Sequence, residues 1–148
     1  MKLSQKGQYG VRAAFMLAMH YDEGPLALKL IAEDQGIPEA FLEQILQALK
    51  RTGLVGATRG ARGGYTLARA PESIAVGDVL TALEVNLSPV ECLDGSACER
   101  QHMCAMRLVY ERLGQSTLKI LHETTLLDMV RDHRRLTGAC EEETHALS

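Results

Sequence analysis

The chain has 148 residues, 46% hydrophobic and 24% charged, with a net charge of -3. That length favours one domain, or one small domain with an appended element. With no Trp, two Phe and four Tyr, a core of Ala, Leu, Val, Ile and Met suits helices better than a β-sandwich.

No stretch approaches the roughly 20 apolar residues of a membrane span. The apolar run over 13–19 follows Lys2, Lys6 and Arg12 but is too short for a secretion signal and lacks a cleavage site after it. A cytoplasmic chain is expected. The charge is unevenly placed: residues 1–70 hold nine Lys/Arg against six Asp/Glu, and residues 71–148 hold seven against thirteen. A basic first half before an acidic second half fits a polyanion-binding head on a body that does not bind.

Residues 7–22 read as a helix with two apolar stripes. Gly10, Ala13, Ala14, Leu17, Ala18 and Tyr21 form one, and Val11, Phe15 and Met19 the other. Such a helix needs two packing partners. Gly24 and Pro25 break the chain. Leu28, Ile31 and Ala32 mark a short second helix that ends near Gly36. Pro38 opens a third, with the stripe Phe41, Leu42, Ile45, Leu46, Leu49 and a stop at Gly53. Two short helices joined by a Gly-containing turn make a helix-turn-helix pattern.

Two strand-like runs follow, 54–57 and 64–67, around Thr58-Arg59-Gly60-Ala61-Arg62-Gly63. From Lys50 to Arg69 there are five basic residues and no acidic one. A basic hairpin after a helix-turn-helix is a winged helix. Its glycines admit close backbone approach to phosphates, and Arg59 and Arg62 neutralise them. The third helix presents Glu39, Ala40, Glu43, Gln44, Gln47 and Lys50 opposite its apolar stripe. Gln pairs with adenine edges and Glu accepts from cytosine N4. Glu43, Gln44 and Gln47 are therefore the candidate base readers, with Glu43 selecting among sites. Lys50, Arg51, Arg59 and Arg62 are the candidate phosphate contacts.

A short helix with Val76, Val79, Leu80 and Leu83 is expected to pack on this module. Residues 104–122 form the longest periodic stretch after it: Met106, Val109, Tyr110, Leu113, Thr117, Ile120 and Leu121. Its expected partner is the same helix of a second chain in an antiparallel two-fold pair, the arrangement that matches palindromic half-sites. Thr125 and Asp128 fit a capping-box-like start to a short last helix, and the tail that follows is expected to be partly disordered. Cys140, in that tail, reads as a bystander.

Between these helices lie Cys92, Cys98 and Cys104, each separated from the next by five residues, with Gly95 in the first gap. Six-residue steps do not align side chains on a helix, but in a loop three sulfurs can converge. Three readings compete. Structural zinc prefers tighter cysteine pairs, a dithiol switch uses only two thiols, and an iron–sulfur cluster takes thiolates but wants a fourth ligand. His102, inside the segment, is one candidate for the fourth; Glu91, Asp94 or Glu99, a residue of a partner chain, or a small thiol are the others. Arg107, one turn after Cys104, stays protonated and cannot ligate.

The opening Met1-Lys2-Leu3-Ser4-Gln5-Lys6-Gly7-Gln8-Tyr9, the Leu42-Glu43-Gln44-Ile45-Leu46 segment, Arg59-Gly60-Ala61-Arg62-Gly63-Gly64-Tyr65, Ile74-Ala75-Val76-Gly77-Asp78-Val79, the cysteine trio and Thr124-Thr125-Leu126 together resemble the IscR family of iron–sulfur cluster regulators, whose relatives include NsrR and RirA. The resemblance covers about residues 1–130. It implies a homodimeric transcription regulator on double-stranded DNA, with a [2Fe-2S] or [4Fe-4S] cluster on Cys92, Cys98 and Cys104. Two departures stand out. A histidine ligand of that family falls where this chain has Arg107, and an aspartate ligand where it has Gln8.

The expected architecture is mainly α with a small β-hairpin, a winged helix-turn-helix domain plus a long dimerisation helix. Residues 1–83 form the DNA-binding domain, 84–104 the cluster-binding loop, 105–130 the dimerisation helix and a short terminal helix, and 131–148 the tail. The expected function is a cluster-controlled regulator, with a disulfide-controlled one as the alternative. No Ser/His/Asp set or usefully spaced carboxylate pair suggests an enzyme.

Overall fold

The computed structural model describes residues 2–95 and 98–146, and side chains as far as residue 138. Helix α1 spans Gln5–Met19. It starts two residues before the apolar stripe predicts, because the Ser4 hydroxyl accepts from the Gly7 N–H at 3.1 Å and caps the helix there. It stops short of Tyr21, which is exposed. Its buried face is Gly7, Gly10, Ala13, Ala14, Leu17 and Ala18.

Helices α2 (Leu28–Gln35) and α3 (Glu39–Arg51) form the helix-turn-helix. Gly36 makes the turn at φ +62°, a left-handed conformation that suits glycine. In α3, Leu42, Ile45, Leu46 and Leu49 are fully buried. Each contributes roughly 1.5–3 kcal/mol by leaving water.

The hairpin pairs β1 (Val55–Thr58) with β2 (Gly64–Leu67) in antiparallel register, Val55 opposite Leu67 and Thr58 opposite Gly64. A third strand fragment joins them, which periodicity did not reveal. Leu26 and Tyr65 exchange backbone hydrogen bonds of 3.0 and 2.8 Å. A single paired residue leaves no alternating pattern to read. A Cβ at Gly64 would overlap the Leu26 carbonyl, so this approach requires glycine.

Helix α4 (Val76–Ala82) seals the module with Val79, Leu80 and Leu83. The long helix α5 spans Ala105–Glu123, about 28 Å, and none of its residues is buried.

The last helix departs from expectation. The sequence predicts a short helix and a partly disordered tail over 131–148, but α6 runs Leu126–Ala146. Apolar periodicity marks only a buried face, and residues 131–138 of α6 are exposed and have none to show. Local bonds hold part of it: Arg135 pairs with Asp132 at 3.1 Å, and the Thr137 hydroxyl donates to the His133 carbonyl at 2.9 Å. The side chains of Cys140 and of the acidic run 141–143 lie outside the described residues.

The beginning of α6 belongs to the head. Leu126 and Val130 are buried in the same core as α1 and α3. Phe15 meets His133 edge-on, with ring centroids 5.4 Å apart. The second stripe of α1 thus finds its partner in α6 of the same chain. A short antiparallel bridge between Ala75 and Thr125 fixes the joint: the Val76 N–H donates to the Thr124 carbonyl and the Leu126 N–H to the Ile74 carbonyl, both at 2.9 Å.

Two outcomes test this joint. Leu126→Ala will cost about 2–5 kcal/mol in urea unfolding, the range for emptying a buried leucine site, whereas a helix attached only from outside would lose far less. The second concerns Asp128, whose carboxylate accepts from the Thr125 N–H and hydroxyl, both at 2.9 Å. These bonds, helped by the nearby Arg131 charge, hold its pKa below the ordinary carboxylate value. A depressed carboxyl stabilises the fold above the ordinary carboxylate range, and that stabilisation is lost as pH falls through the folded-state pKa. Asp128→Asn will therefore lower the melting temperature at neutral pH, and the gap from wild type will close on acidification.

Candidate nucleic-acid interface and cysteine loop

Because one side of α3 is consumed by the core, its other side is free. Glu39, Ala40, Glu43, Gln44, Gln47, Lys50 and Arg51 are all exposed. A shallow hollow of about 660 Å³ runs along this face, bordered by Glu43, Gln44, Gln47, Arg51 and, from α1, Lys6. The Gln47 amide lies 3.5 Å from the Tyr65 hydroxyl, which links the helix to the hairpin. Lys6 and Tyr65 were not among the sequence candidates. For Lys6 a signal existed, since it is a cation one turn before the buried Gly10. Tyr65 gave none, because its neighbourhood with α3 is made only by folding.

Beyond the paired strands, residues 59–63 form the hairpin tip. Gly60 takes φ +109°, and the Gly63 N–H donates to the Gly60 carbonyl at 3.0 Å. This tight turn leaves Arg59 and Arg62 exposed. Helix and tip together expose every charged residue predicted to touch DNA: Glu43, Lys50, Arg51, Arg59 and Arg62.

The cysteine loop runs from the end of α4 to the start of α5. Cys92 sits in a 3₁₀ turn (Glu91–Leu93), and Cys104 is the residue at which α5 begins. Cys92, Cys98 and Cys104 are half-buried free thiols. Cys92 and Cys98 line one hollow of about 330 Å³, together with Glu99, Gln101 and Arg107. Cys104 is not part of its lining. His102 is exposed, off this hollow, with its Nε2 3.1 Å from the Gln101 amide nitrogen. Among the described residues, no three His, Cys, Asp or Glu side chains gather into a metal-binding group. The hollow is thus shared by two of the three cysteines.

Arg107 occupies the middle of this region. Its Nε donates to Glu111 Oε1 at 2.9 Å, and its Nη1 donates to the Cys92 carbonyl at 3.3 Å. On the far side, α5 exposes Met106, Val109, Leu113 and Ile120, between 46% and 64% accessible. Spaced by three, four and seven residues, they form one continuous apolar stripe. No described helix is long and apolar enough to cross a membrane.

The arrangement has counterparts among known proteins. The family model described as "Rrf2: Iron-dependent Transcriptional regulator" matches residues 3–132. The protein named rrf2 from Nitratidesulfovibrio vulgaris is 38% identical over 148 residues, covering 99% of each chain. Among solved structures, the IscR of T. potens superposes with a TM-score of 0.77 at 41% identity, covering 92% of this chain and 90% of that one. CymR of B. subtilis, described as the global cysteine regulator, superposes with a TM-score of 0.76 at 38% identity, covering 88% and 97%. These are transcription regulators and not enzymes, and the winged architecture is theirs. The chain belongs to the Rrf2 family of DNA-binding transcription regulators.

Proposed function

We propose that this regulator is a cytoplasmic homodimer that binds a palindromic operator, and that an iron–sulfur cluster held by Cys92, Cys98 and Cys104 controls its grip. The carrying observation is placement: three free, half-buried cysteines share one loop, and that loop leads directly into the exposed helix α5. A cluster would replace three thiol protons with metal–sulfur bonds and draw the loop together. Because α5 is anchored to the head at Thr124 and Leu126, a shift of the loop is carried toward the DNA face. His102 is the fourth-ligand candidate within this chain, and it reaches the site only if the 98–104 turn folds inward.

On the DNA, Glu43, Gln44 and Gln47 read base edges, and Lys50, Arg51, Arg59 and Arg62 hold phosphates. Dimerisation through the α5 stripe removes Met106, Val109, Leu113 and Ile120 from water and sets two reader helices one half-site apart.

A second reading replaces the cluster with a Cys92–Cys98 disulfide. It is favoured by the hollow that these two thiols share without Cys104. CymR from Staphylococcus aureus, a related fold at 32% identity with a TM-score of 0.74, has a structure described as an oxidized form.

Anaerobic purification separates the two. Iron and acid-labile sulfide with visible absorption, reduced in Cys104→Ala and in His102→Ala, will support the cluster with His102 as ligand. A colourless protein that forms a disulfide only when a thiol oxidant such as diamide is added afterwards, and that is indifferent to Cys104→Ala, will sink it. For the DNA face, Arg59→Gln will flatten the dependence of log affinity on log salt by about 1 for each phosphate it no longer neutralises, while Glu43→Ala will widen the set of duplexes selected from a random pool. An unchanged set would remove Glu43 as the selector. Ile120→Glu, which sets a charge in the α5 stripe, will yield monomers in light scattering; a persistent dimer would move the interface elsewhere.

A further inference from the structure

A cation in the first turn of a helix opposes the helix dipole. Arg107 is placed there, in the first turn of α5, and that turn contains no acidic residue to offset it. Its side chain is nevertheless among the less exposed charged ones, 29% accessible. The cost is offset by two bonds in different directions: along the helix to Glu111 and across the loop to the Cys92 carbonyl. Arg107 also walls two hollows, the one that holds Cys92 and Cys98 and a second of about 400 Å³ between Pro89, Leu93 and Leu118.

We propose that Arg107 is a positioning residue that ties the Cys92 turn to α5, so that a change at the cysteines reaches the long helix through its guanidinium. The proposal rests on the loop being the sensing element, whichever chemistry acts there. Only an arginine suits the task. Its planar fork offers separate N–H groups to Glu111 and to Cys92. Lysine keeps the charge but is a single point donor. The anchor on the Cys92 side is a backbone carbonyl, so the tie follows the position of the turn rather than the state of the sulfur itself. A rearrangement that moves the Cys92 turn breaks or redirects this bond and leaves Arg107 held by Glu111 alone.

The test uses the full-length, reduced, metal-free protein, with Arg107→Lys and Arg107→Met beside wild type and circular dichroism to confirm folding. The first readout is the rate at which each cysteine reacts with iodoacetamide, resolved by mass spectrometry. Both variants should raise the Cys92 rate about fivefold, the opening expected on losing one net hydrogen bond. The second readout is affinity for a duplex selected by wild type, before and after alkylation of the loop thiols. Wild type should change by about 5–150-fold, the usual span of such coupling, and both variants should respond much less while matching wild type before alkylation. Unchanged Cys92 rates, or variants that respond as fully as wild type, would overturn the tie while leaving the loop as sensor. A wild type that does not respond at all would overturn the sensing role of the loop and the coupling with it.

Discussion

The chain must leave the DNA-binding head after Leu83 and return to it at Leu126, and everything distinctive about the molecule follows from that double attachment. Leu83 and Leu126 are both buried in one core, and the bridge between Ala75 and Thr125 locks the point of return. The 42 residues between them, the cysteine loop and α5, are held at both ends. A movement inside that excursion cannot dissipate into a free tail. The close approach of α4 to α5 reinforces the joint, since a Cβ at Gly77 would strike the His122 ring.

Within the head, one physical division produces the binding face. The aliphatic side of α3 is taken up by the core, so the polar side must point outward, and the hairpin is tied to its neighbourhood through Leu26 and Tyr65. The result is a surface where exposed Gln and Glu side chains sit between cations from α1, α3 and the hairpin tip. In the proposed DNA complex, attraction to phosphates would supply affinity there, and the carboxylate of Glu43 would discriminate between sequences.

The excursion follows a different logic. The stripe of α5 stays exposed in one chain because the head has already been closed by α4 and by the start of α6. Burying that stripe requires something outside the protomer, and in the proposed dimer a second copy would supply the same stripe by symmetry. The loop that precedes it contains three free thiols, two of which line one hollow. Arg107 stands between that pair and α5.

Much of this was legible before folding. Period-3.6 stripes located α1 to α5 within a few residues, glycines located the turns, and the basic run located the hairpin. The capping pair Thr125 and Asp128 marked where α6 begins. The continuation of α6 was not legible, because residues 131–138, which carry it past the head, bury no apolar face. The bridges at Leu26 and at Ala75 were not legible either, since one paired residue leaves no repeat. The sequence by itself determined which residues are apolar, which carry charge and which are thiols, and at what spacing, because these are properties of side-chain type and order. Only the tertiary structure decided which of them meet. It put Cys92 and Cys98 on the lining of one hollow, without Cys104 or His102, and Arg107 against the Cys92 carbonyl. The reason is that closure of the loop over 92–104 is governed by backbone turns and anchoring contacts, not by the even spacing of the cysteines.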